Sequence, residues 1–316
     1  MSRRDISVDR EQLGETSQPT GMIITNLRGG LGNQMFQYAC GLALAADCNL
    51  PVRISTDMLQ LAAKPRAPEI EEVFKVKAER ANGMDLARLL GRMRSRPRAR
   101  LLLEKPWFAW ARGDRFWVEF DRPEMEALRL VSVEGAYLHG YWQSERYFIR
   151  HEKLVRTALR FSRPLSGANA EVAERIKAWP SVSMHIRRGD YLTNDHTRAV
   201  HGLCSVDYYV AAVKRMQKLE PGLRIMAFSD DPGWVADALQ PRIPQMTIVS
   251  HNTGSQSFED MRLMSLCHHH IIANSSFSWW AAWLNPRPDK VVIAPSRWFA
   301  NGRDASDLVP SSWERL

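Results

Sequence analysis

The chain predicts an α/β fold built on parallel sheet, and three features of its sequence carry that expectation. Beyond residue 180, short apolar runs alternate with longer amphipathic stretches, the rhythm of parallel strands covered by helices on both faces. The start of the chain shows the same rhythm in 22-MIITNL-27, 28-RGGLGN-33 and 34-QMFQYACGLALAAD-47. The apolar runs also end in glycine, charged or hydroxyl residues, where open α/β sheets hold their ligands.

The elements follow in order. Residues 22–27 read as a buried strand, 28–33 as a loop, and 34–47 as a helix with small residues for close packing. A strand near 50-LPVRI-54 completes a β-α-β opening. Between about 60 and 165 arginines mix with aromatics and the pattern is harder to parse. There 129-RLVSVEG-135 reads as a strand and 144-SERYFIRHEKLVRTAL-159 as a helix. Strand 181–186 then precedes helix 206–219, which Ser205 can cap, and strand 223-LRIMAF-228 runs into a helix with Asp231 as N-cap and Pro232 in its first turn. Strand 246-MTIV-249, helix 258–267, strand 270-HIIA-273, helix 274-NSSFSWWAAWLNP-286 stopped by Pro286, and strand 290-KVVIA-294 close the series.

A chain of 316 residues supports one large core or two ordinary ones, and two domains are expected. With 45% hydrophobic and 25% charged residues it reads as globular, and no run reaches the ~18 apolar residues of a membrane span. Residues 1–20 are polar, lack the apolar centre of a signal peptide, and read as a disordered leader. Cys40, Cys48, Cys204 and Cys267 follow no metal spacing, which suits a reducing compartment. The formal charge is +8, and six of the arginines lie in 88-RLLGRMRSRPRAR-100; without them it is +2. The cluster reads as a solvated connection, or as a contact with anionic lipid or an acidic acceptor aided by the aromatics of 106-PWFAWARGDRFW-117. No signature of a nucleic-acid-binding module accompanies it.

Three strand ends carry chemistry: His185, Arg187, Arg188, Gly189 and Asp190; Ser229, Asp230 and Asp231; and Asn274, Ser275 and Ser276. On one sheet they share a rim. Arg187 and Arg188 can offer forked hydrogen bonds to phosphate, or serve structural ion pairs. Ser275 and Ser276 open a helix whose free N–H groups suit an anion, so the rim fits a diphosphate. The 29-GGLGNQ-34 loop lets backbone approach a ligand, or is simply a tight turn. It is neither a dinucleotide fingerprint nor a P-loop. Asp230 and Asp231 can be read as metal ligands, but Asp231 fits a helix cap better. In the 267-CHHH-270 run adjacent side chains point to opposite faces, which argues against zinc. Trp279, Trp280 and Trp283 read as helix core, with Trp279 or Trp280 in reach of a sugar.

Together HIRRGD, GGLGNQMFQYA, FSDD, and EDMRLMSLC followed by NSSFSWWAAWLN resemble the bacterial α-1,2-fucosyltransferases, a family-11-like group that shares short motifs with α-1,6- and protein O-fucosyltransferases. The resemblance runs from about 22 to about 300 and skips about 60–130, where acceptor specificity would lie. It implies a GT-B-like glycosyltransferase with two Rossmann-like domains facing a cleft: residues 21–165 on the acceptor side and 166–316 binding GDP-fucose. It implies no metal or other cofactor. Arg187 would bind the β-phosphate and Arg188 support the loop. His185 and Asp260 would meet guanine, with Asp230, Ser275 and Ser276 also on the donor side. Gly30, Gly32 and Asn33 would lie across the cleft. Asp260 has a rival reading as the partner of Ser257 in a capping arrangement. A base for the acceptor is open between Asp190 and Asp195, the latter in 193-TNDHTRAVHG-202, which reads as a loop. The implied reaction moves L-fucose to a galactose 2-hydroxyl for lipopolysaccharide or capsule, in the cytoplasm or at the inner face of the membrane. A fucosyltransferase of α-1,6 linkage to a chitin-like oligosaccharide, or a silent sugar-nucleotide-binding protein, are the alternatives.

Overall fold

Two parallel sheets organise the chain in this computed structural model, which describes residues 21–62, 65–119, 124–131, 134–189 and 195–316. The predicted leader lies outside the described residues. The first sheet contains β1 (Ile23–Asn26), β2 (Val52–Ser55), β3 (Glu79–Arg80), β4 (Phe116–Val118) and β5 (Ala136–His139), in the order β3-β2-β1-β5-β4. The second contains β6 (Ser181–Ile186), β7 (Arg224–Ser229), β8 (Met246–Val249), β9 (His269–Ile271), β10 (Val292–Ala294) and β11 (Glu314–Arg315), in the order β11-β10-β9-β6-β7-β8. Every named pairing is parallel, with Ile23 opposite Val52 and Ala136, and Val182 opposite His269 and Ile225. Strands covered on both faces need no polar side, and all of β1, β5 and β6 is buried.

The Leu31–Cys48 helix joins the two halves. It packs under β1 and, on its other side, against the Ser276–Leu284 helix. Phe36 meets Trp279 and Trp280 at ring-centroid distances of 4.5 and 4.9 Å, and Phe148 stacks on Trp280 at 5.4 Å. Trp279 and Trp280 are fully buried, which removes both from any contact with a sugar. Each indole N–H still finds an acceptor, Trp279 on Leu308 O at 2.8 Å and Trp280 on Gly32 O at 2.9 Å.

Several sequence expectations need correction. Of the strand expected over 129–135, residues 129–131 lie in a helix, Met125–Val131, residues 132 and 133 lie outside the described residues, and β5 begins at Ala136. Gly135 precedes β5 at φ +113°, where an added Cβ would sit 2.7 Å from Met22 O. The 144–159 stretch opens in two 3₁₀ turns, Glu145–Tyr147 and Ile149–His151, before its helix Glu152–Ala158. The loop expected over 193–202 contains a helix, Asp195–His201. Val292–Ala294 is not the last strand, because the two-residue β11 pairs beyond it; so short an edge carries no readable periodicity. Nor is the arginine cluster wholly solvated. Arg100, in the helix Pro97–Leu103, is fully buried, donates to Ser55 Oγ (3.1 Å) and Tyr137 Oη (2.9 Å), and pairs with Asp57. Among the described residues no helix is long and apolar enough to cross a membrane.

Candidate functional site

Each sheet has a point where strand order reverses. In the first, β1 is flanked by β2 and β5; in the second, β6 is flanked by β7 and β9. Chains leaving neighbouring strands there diverge and open a crevice at the carboxyl ends. The two crevices face each other across one cleft of about 720 Å³. Gly29, Gly30, Asn33, Tyr141 and Gln143 line the first wall, and His185, Arg187, Asp230 and residues 274–277 line the second.

Two helix N-termini meet on the cleft floor. The Leu31–Cys48 helix starts at Gly30 with no side-chain cap and no acidic residue in its first turn. The Ser276–Leu284 helix starts at Ser275, whose hydroxyl accepts from Phe277 N at 3.3 Å. A Cβ on Gly32 would lie 2.7 Å from Ser276 C and 2.8 Å from Phe277 N, so only glycine lets the two ends touch. Gly32 lines the cleft, as the sequence reading placed it, and its close backbone neighbour is the second helix. Each helix end carries about half a positive charge, and together they favour an anion between them.

Arg187 brings a full charge to the same cleft. Its Nη1 lies 2.8 Å from Asp230 Oδ2, and Asp230 also accepts from Arg188 N (2.8 Å) and Gly189 N (3.0 Å). Asp230 thus fastens the loop after β6 to the end of β7 and aims the guanidinium. Arg188 is not a cleft residue. Its side chain pairs with Asp231 (3.2 Å) and lies 3.8 Å over the Trp234 ring. Asp231 caps the following helix through Trp234 N at 3.1 Å, with Pro232 in the first turn.

Two buried titratable groups also line the cleft. The His185 ring lies tilted against Phe277 at a centroid distance of 5.6 Å; burial holds its imidazole down at about 4, so the ring is neutral near pH 7. Asp260 is buried, and burial pushes its carboxyl up to about 7, with Glu259 adding to the rise and a hydrogen bond from Asn252 Nδ2 (2.8 Å) opposing it. The Ser257–Asp260 capping reading fails, since Ser257 makes no side-chain cap and the Asp260 carboxyl turns to Asn252. Of the expected bases, Asp190 lies outside the described residues, and Asp195 starts its helix with a side chain that is likewise not described. Among the described residues Glu69, beside Arg66 at 3.6 Å, is the one carboxylate on the first wall.

Sequence reasoning missed Arg66, Glu69, Tyr141, Gln143 and Arg303, which come from the middle of the chain and the C-terminal stretch. It also missed Asn252, which follows β8 and would have been found by extending the strand-end rule to that strand. The histidine run splits as strand alternation requires: His268 bonds Ser181, His269 bonds Glu220, and buried His270 lies between Ser183 (2.8 Å) and Asn285 (2.8 Å). Among the described residues no three His, Cys, Asp or Glu side chains are grouped to hold a metal ion.

The chain is similar to several known proteins. Residues 115–314 match the family described as Glycosyl transferase family 11. An α-1,2-colitosyltransferase from Escherichia coli is 31% identical over 302 residues, spanning 93% of this chain and 99% of that protein. The Escherichia coli O-antigen biosynthesis glycosyltransferase WbnK is 30% identical over 309 residues, spanning 92% and 99%. A solved NodZ α-1,6-fucosyltransferase, soaked with GDP-fucose, covers 86% of this chain and 94% of its own at a TM-score of 0.52 and 16% identity, a likeness of fold. That fold is GT-B-like, as expected from the resemblance. The matched residues include β6, the arginine loop after it and the Ser276–Leu284 helix, and with the near-complete overlap of the relatives they show that the chain belongs to glycosyl transferase family 11.

Proposed function

We propose that this glycosyltransferase moves L-fucose from GDP-fucose to the 2-hydroxyl of a terminal galactose, making an α-1,2 linkage in a bacterial surface polysaccharide on the cytoplasmic side of the membrane. The observation that carries the reading is the convergence of Arg187 and two helix N-termini on one cleft, with a buried carboxyl, Asp260, in its lining. The anion suited to the centre is a diphosphate. The carboxyl, once ionised, suits the adjacent N–H donors of guanine, and neutral His185 supports the base. Ser275 and Ser276 would hold phosphate oxygens. Gly30, Gly32 and Asn33 would border the diphosphate and fucose from across the cleft, and Asp230 would keep Arg187 aimed.

In the reaction the bond from fucose C1 to the β-phosphate oxygen breaks, and its electron pair stays on that oxygen. The acceptor oxygen bonds C1 from the opposite face, inverting the β-linked donor to an α-glycoside. Its proton passes to a base, with Asp190 and Asp195 as candidates and Glu69 available on the opposite wall. Charge on the leaving oxygen grows toward the transition state, so Arg187 and the helix ends stabilise that state more than the bound donor. They supply the positive charge that a divalent cation supplies elsewhere, and no metal is needed. The α-1,2 specificity named for the colitosyltransferase supports the linkage, and the GDP-fucose named for the NodZ structure supports the donor.

The same relative favours a second reading, a donor carrying colitose, which is fucose without its 3-hydroxyl. Titration calorimetry of GDP, UDP and ADP in EDTA tests the common part. GDP alone should bind, and Arg187→Ala should weaken it at least tenfold. Equal binding of UDP, or a requirement for a divalent ion, would remove the donor assignment. Competing the two sugar nucleotides against a galactose-terminated acceptor then separates fucose from colitose.

A further inference from the structure

Residues 92–110 build a surface that the cleft does not use. Large apolar side chains rarely stand in water beside one another on a soluble protein. Here Met93 is 82% exposed, Leu102 56%, Trp107 70% and Trp110 85%. No residue of the 3₁₀ segment Pro106–Ala111 is buried. Arg92, Arg94, Arg96, Arg98 and Lys105 are exposed among them, and no acidic residue occurs between 86 and 103. Arg92, Arg96 and Arg98 meet no carboxylate among the described residues. Arg94 Nε donates to Ala111 O at 2.7 Å, which sets the 92–95 turn beside the tryptophan segment.

The surface is held in place. Leu89, Leu90 and Leu103 pack with Phe116 and Tyr137 on the outer face of the first sheet, and Phe108 and Ala111 lie against them. Arg100 reaches from the middle of the basic run into that core, to Ser55, Tyr137 and Asp57. Arg112 Nε donates to Leu103 O at 2.7 Å and closes the segment on itself. Its inner edge touches the cleft wall: Glu104 accepts from Arg28 Nη1 at 3.1 Å, and Arg28 lies 4.9 Å over the Tyr141 ring that lines the cleft.

We propose that residues 92–110 dock on an anionic lipid bilayer, with Trp107 and Trp110 at headgroup depth and the arginines on lipid phosphates. Charge complementarity selects this occupant: unpaired cations interleaved with exposed indoles are the pattern of an interfacial anchor. Docked in this way, the cleft's acceptor-side wall lies near the bilayer, within reach of a glycan carried on lipid. The surface is chemically separate from the cleft and does not depend on which sugar is transferred.

The experiment is sedimentation of the full chain with phosphatidylcholine vesicles that contain or lack phosphatidylglycerol, at low and high salt. Wild type should sediment with the anionic vesicles only, and release in salt. Trp107→Ala/Trp110→Ala and Arg92→Ser/Arg96→Ser/Arg98→Ser should each partition at least tenfold more weakly, with unchanged melting by circular dichroism. Brominated lipid should quench wild-type fluorescence and spare the double tryptophan variant. Equal sedimentation with and without vesicles, or wild-type partitioning by both variants, overturns the proposal. So does a concentration-dependent dimer, or binding to duplex nucleic acid, lost in the same variants without any lipid effect, since either gives the patch another occupant.

Discussion

The two walls of the cleft are built alike and equipped differently. Both rise from the reversal point of a parallel sheet, and each contributes a helix N-terminus. The second wall adds charged and titratable side chains: Arg187, Asp230, His185 and Asp260. The first adds glycine backbone, a phenol and amides, with Asn33 Oδ1 accepting from Gln143 Nε2 at 2.7 Å, and its charges are the mutually paired Arg66 and Glu69. A nucleotide diphosphate is recognised by charge at fixed positions, whereas a neutral glycan is recognised by shape and by hydrogen bonds from a surface of this second kind. The asymmetry supports the proposed reading, in which the donor lies on the second wall and the acceptor on the first.

Neighbouring arginines offer the sharpest way to break that assignment. Arg187 faces the cleft, while Arg188 lies between Asp231 and Trp234. Arg187→Ala should lower kcat by roughly 10²–10³-fold, the usual loss when one preorganised charge-stabilising donor is removed. Arg188→Ala should leave kcat near wild type and lower only the melting temperature. Comparable losses of kcat in the two would place phosphate recognition elsewhere.

A second contrast lies within the basic run. Arg100→Ala leaves Asp57, Ser55 and Tyr137 without their buried partner and should cost about 3 kcal/mol of stability, since breaking a buried pair is worth roughly 3–5 and Asp57 keeps some water. Arg98→Ala, on the exposed face, should change stability by less than about 0.5 kcal/mol. Chemical denaturation measures both, and equal small effects would mean that the outer segment is not anchored through Arg100.

The glycine loop gives a smaller effect of the same form. Gly32→Ala sets a Cβ against Ser276 and Phe277 backbone, neither of which is a flexible tip, and should cost about 1–3 kcal/mol by overpacking. It should also weaken GDP, because the two helix ends separate. Gly30→Ala meets only Arg66 Nη1 at 3.5 Å, an ordinary contact, and should fold like wild type. Equal melting temperatures would show that the floor of the cleft tolerates separation.

What the sequence made legible follows from the same asymmetry. Strands β6, β7 and β8, the Ser205 and Asp231 caps and the Ser276–Leu284 helix were readable because buried parallel strands, N-cap chemistry and Pro286 leave local signals. The arginine loop was readable because charge directly after an apolar strand is rare without cause. The middle was not, because Asp57–Leu61, Glu69–Val73 and Pro97–Leu103 are helices of two turns or less, too short for a period to emerge. Glu69 and Tyr141 reach the cleft through chain direction in space, which no local pattern encodes. The burial of Arg100 depends on Ser55, Asp57 and Tyr137, partners 37 to 45 residues away.

Asp260 allows the finest test, because its ionisation must change if it meets guanine. Burial raises its carboxyl to about 7 from an ordinary value of 3.8, so in the unliganded protein it is neutral in acid. The sign for stability follows: its contribution is complete below 3.8 and is lost as pH rises through about 7, and Asp260→Asn should remove that part of the pH dependence. Binding runs the other way. The N–H donors of guanine favour the carboxylate, so GDP should bind more tightly as pH rises through 7 and should expel a proton below it. At pH 6 the raised carboxyl is mostly protonated, so calorimetry in buffers of different ionisation enthalpy should show proton release on GDP binding. At pH 8.5 the release should fall close to zero, and Asp260→Asn should abolish it at both values. GDP binding without proton release at pH 6 would mean that Asp260 stays neutral in the complex, and the base would then be read by backbone and by the neutral ring of His185.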